Sequence, residues 1–235
     1  MGSADAAGGR CLFGELAPAF VVIAEGAIED IEGALFAEES ARVASAHPKR
    51  KREYAAGRIL ARRAIAGLGG PAGAIGADSA GAPQWPAGLI GSITHSDAYA
   101  AAAVARTIDA PGIGLDVEAV SRFHPGLEPR VLTPEEIATH LDGASPAIRQ
   151  RRTAILFCAK EAFYKAQFAL TGLRLGFQDV EVTLDIDAGV FSARRTCVDM
   201  LGLTGRFAVA GDLAAAALVI AADISPAPLA SPAWR

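Results

Sequence analysis

The order of local-structure signals repeats on either side of one turn, and this limits the folds open to the chain. The turn is "DAPG", residues 109–112, near the middle of 235 residues. Before it, β-branched residues mark a strand in "AFVVIAE", and "FAEESARVASA" reads as a short helix. A long helix starts at Pro48, which suits a first helical position, and closes at Gly67, Gly69 and Gly70. The loop "GADSAGAPQWPAG" leads into two short strands, "LIGSITHS" and "YAAAAVART". After the turn, "IGLDVEAV" alternates as a strand does, with Leu115 and Val117 on one face and Asp116 and Glu118 on the other. "TPEEIATHL" opens a helix with Thr133 as N-cap, Pro134 at the first helical position and Glu136 three residues after the cap. A long helix over about residues 147–169, a hairpin turning at residues 187–189 and two strands in "GRFAVAGDLAAAALVIAAD" complete this half. Each half thus shows strands with one or two long helices, and the turn divides the chain into residues 1–111 and 112–235. Residues 1–11 and the Pro-rich tail are expected to be irregular.

Composition narrows the class. The chain is 51% hydrophobic, ample for a core, and much of that is alanine, so tight helix packing is expected. A formal charge of −4 gives no reason to expect a nucleic-acid partner. Cys11, Cys158 and Cys197 are scattered and odd in number, which suits neither a zinc site nor a disulfide framework and points to a reducing compartment. The N-terminus lacks the charge and apolar run of a signal peptide. No segment has the roughly 18 uninterrupted apolar residues of a membrane span. A cytoplasmic protein is expected.

Four clusters have chemical potential. Asp116 and Glu118 project side by side, and their repulsion would be relieved by a hard divalent ion such as Mg²⁺; two solvated acids on an exposed strand are the simpler reading. In "LFCAKEAFYKAQF", residues 156–168, Glu161 and Lys165 make an i,i+4 pair worth about 0.2–0.5 kcal/mol, which leaves Lys160 unexplained. A carboxylate between two ammonium groups could instead complete a metal site while the lysines hold phosphate. Eight basic residues lie between Arg42 and Arg63, opposed only by Glu53. Lys51, Arg58 and Arg62 share a helical face, and Arg50 sits near the helix N-terminus, where free N–H groups favour an anion. This is a solvated cationic face or a polyphosphate site. In "GSITHS", His95 is structural or, with Thr94 and its serine neighbours, binds phosphate. There is no nucleophile elbow, Walker A loop or G-x-G-x-x-G.

Taken in order, "RKREYAAGR", "GAPQWP", "GSITHS", "GIGLDVE", "FCAKEAFYKA" and "LGFQDV" closely resemble the 4′-phosphopantetheinyl transferases, in the subgroup named for enterobactin synthetase. The resemblance covers residues 50–182. It implies an α+β fold of two similar halves in a pseudo-twofold arrangement, with coenzyme A between them. It implies transfer of 4′-phosphopantetheine from coenzyme A to a serine of an acyl or peptidyl carrier protein, with 3′,5′-ADP released. The implied metal ligands are Asp116, Glu118 and Glu161, for Mg²⁺ with Mn²⁺ as the alternative. Lys160 and Lys165 correspond to lysines near the phosphates, and His95, beside Thr94, to a phosphate-contacting histidine. Arg50 and Arg58 correspond to arginines at the adenosine 3′-phosphate, with Lys51 or Arg52 as alternatives to Arg50. The implied catalytic set is Glu161, Lys160, His95 and Lys165, with Glu161 or a water taking the serine proton. Residues 1–111 would bind coenzyme A, and residues 112–235 would hold the metal. Siderophore, nonribosomal-peptide or polyketide synthesis and a monomeric state are expected. A catalytically weak coenzyme A-binding subunit of a synthetase assembly is the alternative.

Related sequences carry a lysine in the loop where this chain has Ala80, Gly81 and Ala82, and no Lys or Arg occurs between Arg63 and Arg106. Weaker coenzyme A binding is therefore expected. Trp85, Phe157 or Phe168 would line a channel for the pantetheine arm. Residues 123–141, with Arg149, Arg151 and Arg152, would receive an acidic carrier.

Overall fold

A computed structural model describes residues 11–78, 81–196 and 202–222. The first half runs β1 (Val22–Ala27), α1 (Ala37–Arg42), α2 (Pro48–Gly67), β2 (Gly76–Ala77), β3 (Pro83–Gln84), β4 (Leu89–His95) and β5 (Tyr99–Arg106). The second runs β6 (Gly112–Ala119), α3 (Glu128–Val131), α4 (Pro134–His140), α5 (Pro146–Thr171), β7 (Val180–Asp185), β8 (Val190–Arg195), β9 (Leu203–Ala210) and β10 (Leu213–Ile220). The first sheet has the order β1-β5-β4 and the second β6-β10-β9-β8-β7, with antiparallel pairing throughout. The path is the same in both halves. An opening strand pairs with the closing one, a long helix intervenes in sequence, and the last two strands form a hairpin. The second half adds β7 and β8. The fold is therefore α+β, built of two similar halves. The short β2–β3 pair lies inside a segment that the sequence marks only as loop.

Four layers stack. Helix α2 covers the outer face of the first sheet with Leu60 and Ile65. Helix α5 covers the second sheet, where Leu156 and Phe163 meet Phe191 and Leu218. The inner faces meet through Ala101, Ala103, Leu115, Val117, Ala215 and Ala217, beneath Leu12 and Phe13. This explains the alanine runs. In β5 and β10, Ala100, Ala101, Ala102, Ala103, Ala214, Ala215, Ala216 and Ala217 are all buried, because both faces of each strand are covered. The tight packing expected of the helices extends to these strands. Glycine serves the same close approach on β6. A Cβ on Gly114 would lie 1.8 Å from the carbonyl oxygen of Ala162, and one on Gly112 would lie 2.5 Å from that of Ala166.

The two sheets are also joined along their edges. Leu115 N–H donates to Ser92 Oγ at 3.0 Å, and Val117 N–H donates to Thr94 Oγ1 at 3.2 Å. Side-chain hydroxyls of β4 thus satisfy the backbone of β6 where no strand pairing exists. The expected face alternation of β6 is present. Leu115 and Val117 enter the inter-sheet core, and Asp116 and Glu118 take the other side.

Helix α4 has the predicted capping box. Glu136 N–H donates to Thr133 Oγ1, and the Glu136 carboxylate accepts from Thr133 N–H. At the other end, buried His140 accepts a 3.4 Å bond from Leu184 N–H at Nε2, which requires the unprotonated nitrogen. Burial lowers the His140 pKa below its ordinary value, with a nearby backbone hydrogen bond opposing and Arg152 assisting. The folded pKa lies under the unfolded one, so this contribution to stability is full above about pH 6.5 and is lost as pH falls through the folded value. Denaturant midpoints measured at pH 7.5 and pH 5.5 should fall more for the wild type than for His140→Phe. Equal losses would exclude this role.

The chain ends, residues 1–10 and 223–235, lie outside the described residues, as do Cys197 and Ala80. Among the described residues no helix is long and apolar enough to cross a membrane.

Candidate active site

A cavity of about 940 Å³ opens between the halves. From the first half, α2 lends it Arg50, Glu53, Tyr54 and Arg58, and β4 lends Ser92 and His95. From the second, α5 lends Glu161, Tyr164, Lys165 and Phe168. Trp85 and Arg174 come from loops.

The wall from the first half is cationic. Arg50 donates to His95 Nε2 at 2.8 Å, so the imidazole is neutral with its proton on Nδ1, which lies 3.8 Å from Glu53. Burial lowers the His95 pKa; Glu53 opposes this, and Arg50 and Lys165 add to it. Arg58 is buried at 5% exposure, with its guanidinium 4.6 Å from the Tyr54 ring centroid. Its Nε and the Tyr54 hydroxyl have no partner, although both are buried. Unsatisfied buried donors on a cavity wall suit an anionic ligand.

The predicted basic stripe is not formed. Arg62 is spent on Glu39 at 2.6 Å and on Ala34 O, and Arg63 donates to Glu32 O. Lys49 is held by Asp97 at 2.6 Å, and Lys51 is exposed outside the cavity lining. Of the predicted phosphate cations on α2, Arg50 and Arg58 are the ones that line the cavity.

The carboxylates gather on the opposite side. Asp116 is buried, and its Oδ1 lies 2.7 Å from Lys165 Nζ and accepts from Thr94 Oγ1 at 3.2 Å. Its Oδ2 has no partner. Glu118 is ion-paired with Arg122. Glu161 faces the cavity, and burial raises its pKa, reinforced by Asp116 and Glu118 and opposed by Lys165. Burial also raises the pKa of Glu118, with Arg122 opposing and Asp116 reinforcing. For Lys165, burial disfavours the ammonium, but Asp116 and Glu161 outweigh it and its pKa is raised.

Among the described residues, no three His, Cys, Asp or Glu side chains are disposed to hold a metal ion. Asp116 is paired with Lys165, and Glu118 with Arg122. The donor set still fits a hard divalent cation. All donors are oxygen, one buried carboxylate oxygen is unpartnered, and the three acids repel one another.

Two predicted ligand contacts are corrected. Lys160 is fully buried; its Nζ lies 2.7 Å from Glu136 and 2.6 Å from Phe177 O, away from the cavity. Burial presses its pKa down, against the pairing with Glu136. Thr94 is also buried, and its hydroxyl is used between the sheets, not on a ligand. Among the aromatic candidates, Trp85 and Phe168 line the cavity, whereas Phe157 packs against Phe123 and Phe177. Arg149 is engaged by Glu128 and Arg152 by His140 O, while Arg151 lines a smaller cavity with Ile155 and Ile186.

Sequence reasoning missed Arg174, Arg122 and the placement of Glu53. Arg174 follows the left-handed cap Gly172 (φ +65°), and its guanidinium lies 5.9 Å from the Phe168 ring. It brings a cation to the cavity from the second half. A basic residue just past a glycine cap was the available signal, but only the turned-back chain shows where it goes.

A family model described as the 4′-phosphopantetheinyl transferase N-terminal domain matches residues 38–105, and one described as the 4′-phosphopantetheinyl transferase superfamily matches residues 112–215. The 4′-phosphopantetheinyl transferase Svp of Streptomyces mobaraensis is 38% identical over 208 residues, which is 85% of this chain and 84% of Svp. The chain belongs to the 4′-phosphopantetheinyl transferases. This transferase is also 34% identical over 194 residues to PptT of Mycobacterium tuberculosis, covering 78% of this chain and 85% of PptT. Enterobactin synthase component D of Salmonella typhimurium is 34% identical over 144 residues, 60% of this chain and 58% of that protein. The enterobactin-type likeness is therefore the narrower one.

Proposed function

We propose that the cavity binds coenzyme A and that the enzyme transfers its 4′-phosphopantetheine to a serine of an acyl or peptidyl carrier protein. One observation carries this reading. Arg50, Arg58 and His95 from one half share a cavity with Glu161 and Lys165 from the other, beside Asp116. Phosphate cations and metal-suited carboxylates thus face one space large enough for a nucleotide with an arm.

In this reading Arg50, Arg58 and Lys165 bind the phosphates, and His95 contacts them from the end of β4. Asp116, Glu118 and Glu161 would hold Mg²⁺, or Mn²⁺, which supplies charge neutralisation at the diphosphate. Tyr164, Phe168 and Trp85 border the arm and restrict water. The carrier serine Oγ bonds to the β-phosphorus as the bond to the 3′,5′-ADP oxygen breaks. The serine proton passes to Glu161, directly or through a water. Coenzyme A recognition belongs mainly to residues 1–111, and metal binding and proton transfer to residues 112–235. The enzyme acts as a cytoplasmic monomer on carriers of siderophore, nonribosomal-peptide or polyketide assembly.

The test is intact-mass measurement of several apo-carriers after incubation with enzyme, coenzyme A and Mg²⁺. A gain of one phosphopantetheine is expected, with a loss of rate of about 10²-fold or more in Asp116→Ala and Glu161→Ala. Absence of any gain with folded enzyme would defeat the proposal.

A further inference from the structure

We infer that Arg122 is a resting counterion that competes with the metal for Glu118, so that metal binding and diphosphate binding reinforce each other. This rests on the proposed function above. The placement of Arg122 is fixed by its backbone. β6 ends at Ala119, and the turn Val120–Arg122 folds the chain back so that Arg122 meets the carboxylate four residues earlier. That turn is anchored three times on the β9–β10 connection. Val120 N–H donates to Asp212 O at 2.7 Å, Ser121 N–H to Asp212 Oδ1 at 2.9 Å, and Ser121 Oγ to Asp212 Oδ2 at 2.5 Å.

The two partners differ in exposure. The Glu118 side chain is 15% exposed and that of Arg122 is 55% exposed. The carboxylate is therefore fixed inside the site, and the guanidinium reaches it from solvent and can leave. Asp116 is matched in the same way by Lys165, which leaves only its Oδ2 unpartnered. The resting site is thus held by internal cations. A divalent ion that takes the Glu118 oxygen held by Arg122 must displace the guanidinium, whereas Asp116 offers it the unpartnered Oδ2. Asp97 is near enough for its charge to be felt by Arg122, but Lys49 already holds it at 2.6 Å. A displaced Arg122 therefore gains most from an incoming anion. Metal on the carboxylates and diphosphate on the released guanidinium each make the other cheaper to bind, and linkage requires the effect to be mutual.

The test is titration of Mn²⁺ into folded wild type and Arg122→Gln, followed by the electron paramagnetic resonance of free Mn²⁺, with and without coenzyme A. The variant loses an exposed guanidinium, and its circular dichroism should match that of the wild type. Without coenzyme A, Arg122→Gln should bind Mn²⁺ about twofold to fivefold more tightly, the range set by exposed ion pairs. With coenzyme A, that advantage should disappear, because the wild-type arginine then has an anionic partner. Equal or weaker Mn²⁺ binding by the variant without coenzyme A would overturn the inference. So would an advantage that coenzyme A leaves unchanged. If neither protein binds Mn²⁺ while carriers are still modified, the counterion role fails and the transfer reading stands. If Mn²⁺ behaves as expected while no carrier gains mass, the transfer reading fails and the counterion role at Glu118 stands.

Discussion

Glu136→Leu should destabilise the protein by about 3–5 kcal/mol, a large part of the stability of an ordinary domain. The side chains of Lys160 and Glu136 are both fully buried, 2.7 Å apart. Burial pushes the Lys160 pKa down and the Glu136 pKa up, while pairing opposes both shifts. Removing the carboxylate leaves the buried ammonium with Phe177 O as its hydrogen-bond partner and Glu181 as a more distant opposite charge. It also frees the N–H groups of Thr133 and Val182, which Glu136 accepts. Adding Lys160→Met should restore part of the loss, because an apolar pair of similar volume removes the stranded charge but leaves the Thr133 and Val182 N–H groups unpaired. Denaturant unfolding of the two single variants and the double variant measures this. A single variant within about 1 kcal/mol of wild type would contradict it. The folded double variant also tests the role of Lys160 in catalysis. A purely structural lysine leaves carrier modification near the wild-type rate, whereas a phosphate-binding one does not.

Gly114→Ala should be at least as damaging. The new methyl group would sit 1.8 Å from Ala162 O, 2.7 Å from Ala162 C and 2.9 Å from Ala166 N. All three are backbone atoms of α5, so no rotamer relieves the clash. The helix would have to lift from β6, carrying Glu161 and Lys165 away from Asp116. Overpacking commonly costs about 1–3 kcal/mol when side chains can adjust, and here they cannot. Loss of folded protein, or a heavily lowered melting temperature with no carrier modification, is expected. Gly26→Ala in β1 is the control, since nothing lies within 4 Å of its added methyl group. A Gly114→Ala protein that melts with the control would refute the packing argument.

Much of the fold was legible because its signals are local. The Thr133–Glu136 box, Pro48 and Pro134 at helix starts, the turn at residues 187–189 and the alternation in β6 all act within a few residues. What lay beyond the sequence depends on packing. Lys160 and Lys165 are five residues apart, so they leave α5 roughly 140° from each other. One points under α4 and the other toward the cavity, and nothing in "KEAFYK" says which. The cations of α2 present the same difficulty. Arg58 and Arg62 share a face, yet Arg62 is claimed by Glu39, which comes from a separate short helix. Glu118 and Arg122 lie only four residues apart, but the strand would carry them apart without the turn that Asp212 anchors.

The hydroxyl seam has a consequence for motion. Ser92 and Thr94 hold the amides of Leu115 and Val117, and the alanine-lined core lies just behind them. The halves therefore cannot swing like jaws without breaking that seam and wetting the core together. The seam thus ties the width of the cleft to the fold itself. Exchange of the Leu115 and Val117 amide hydrogens would then report the rare whole-molecule opening, not a functional hinge.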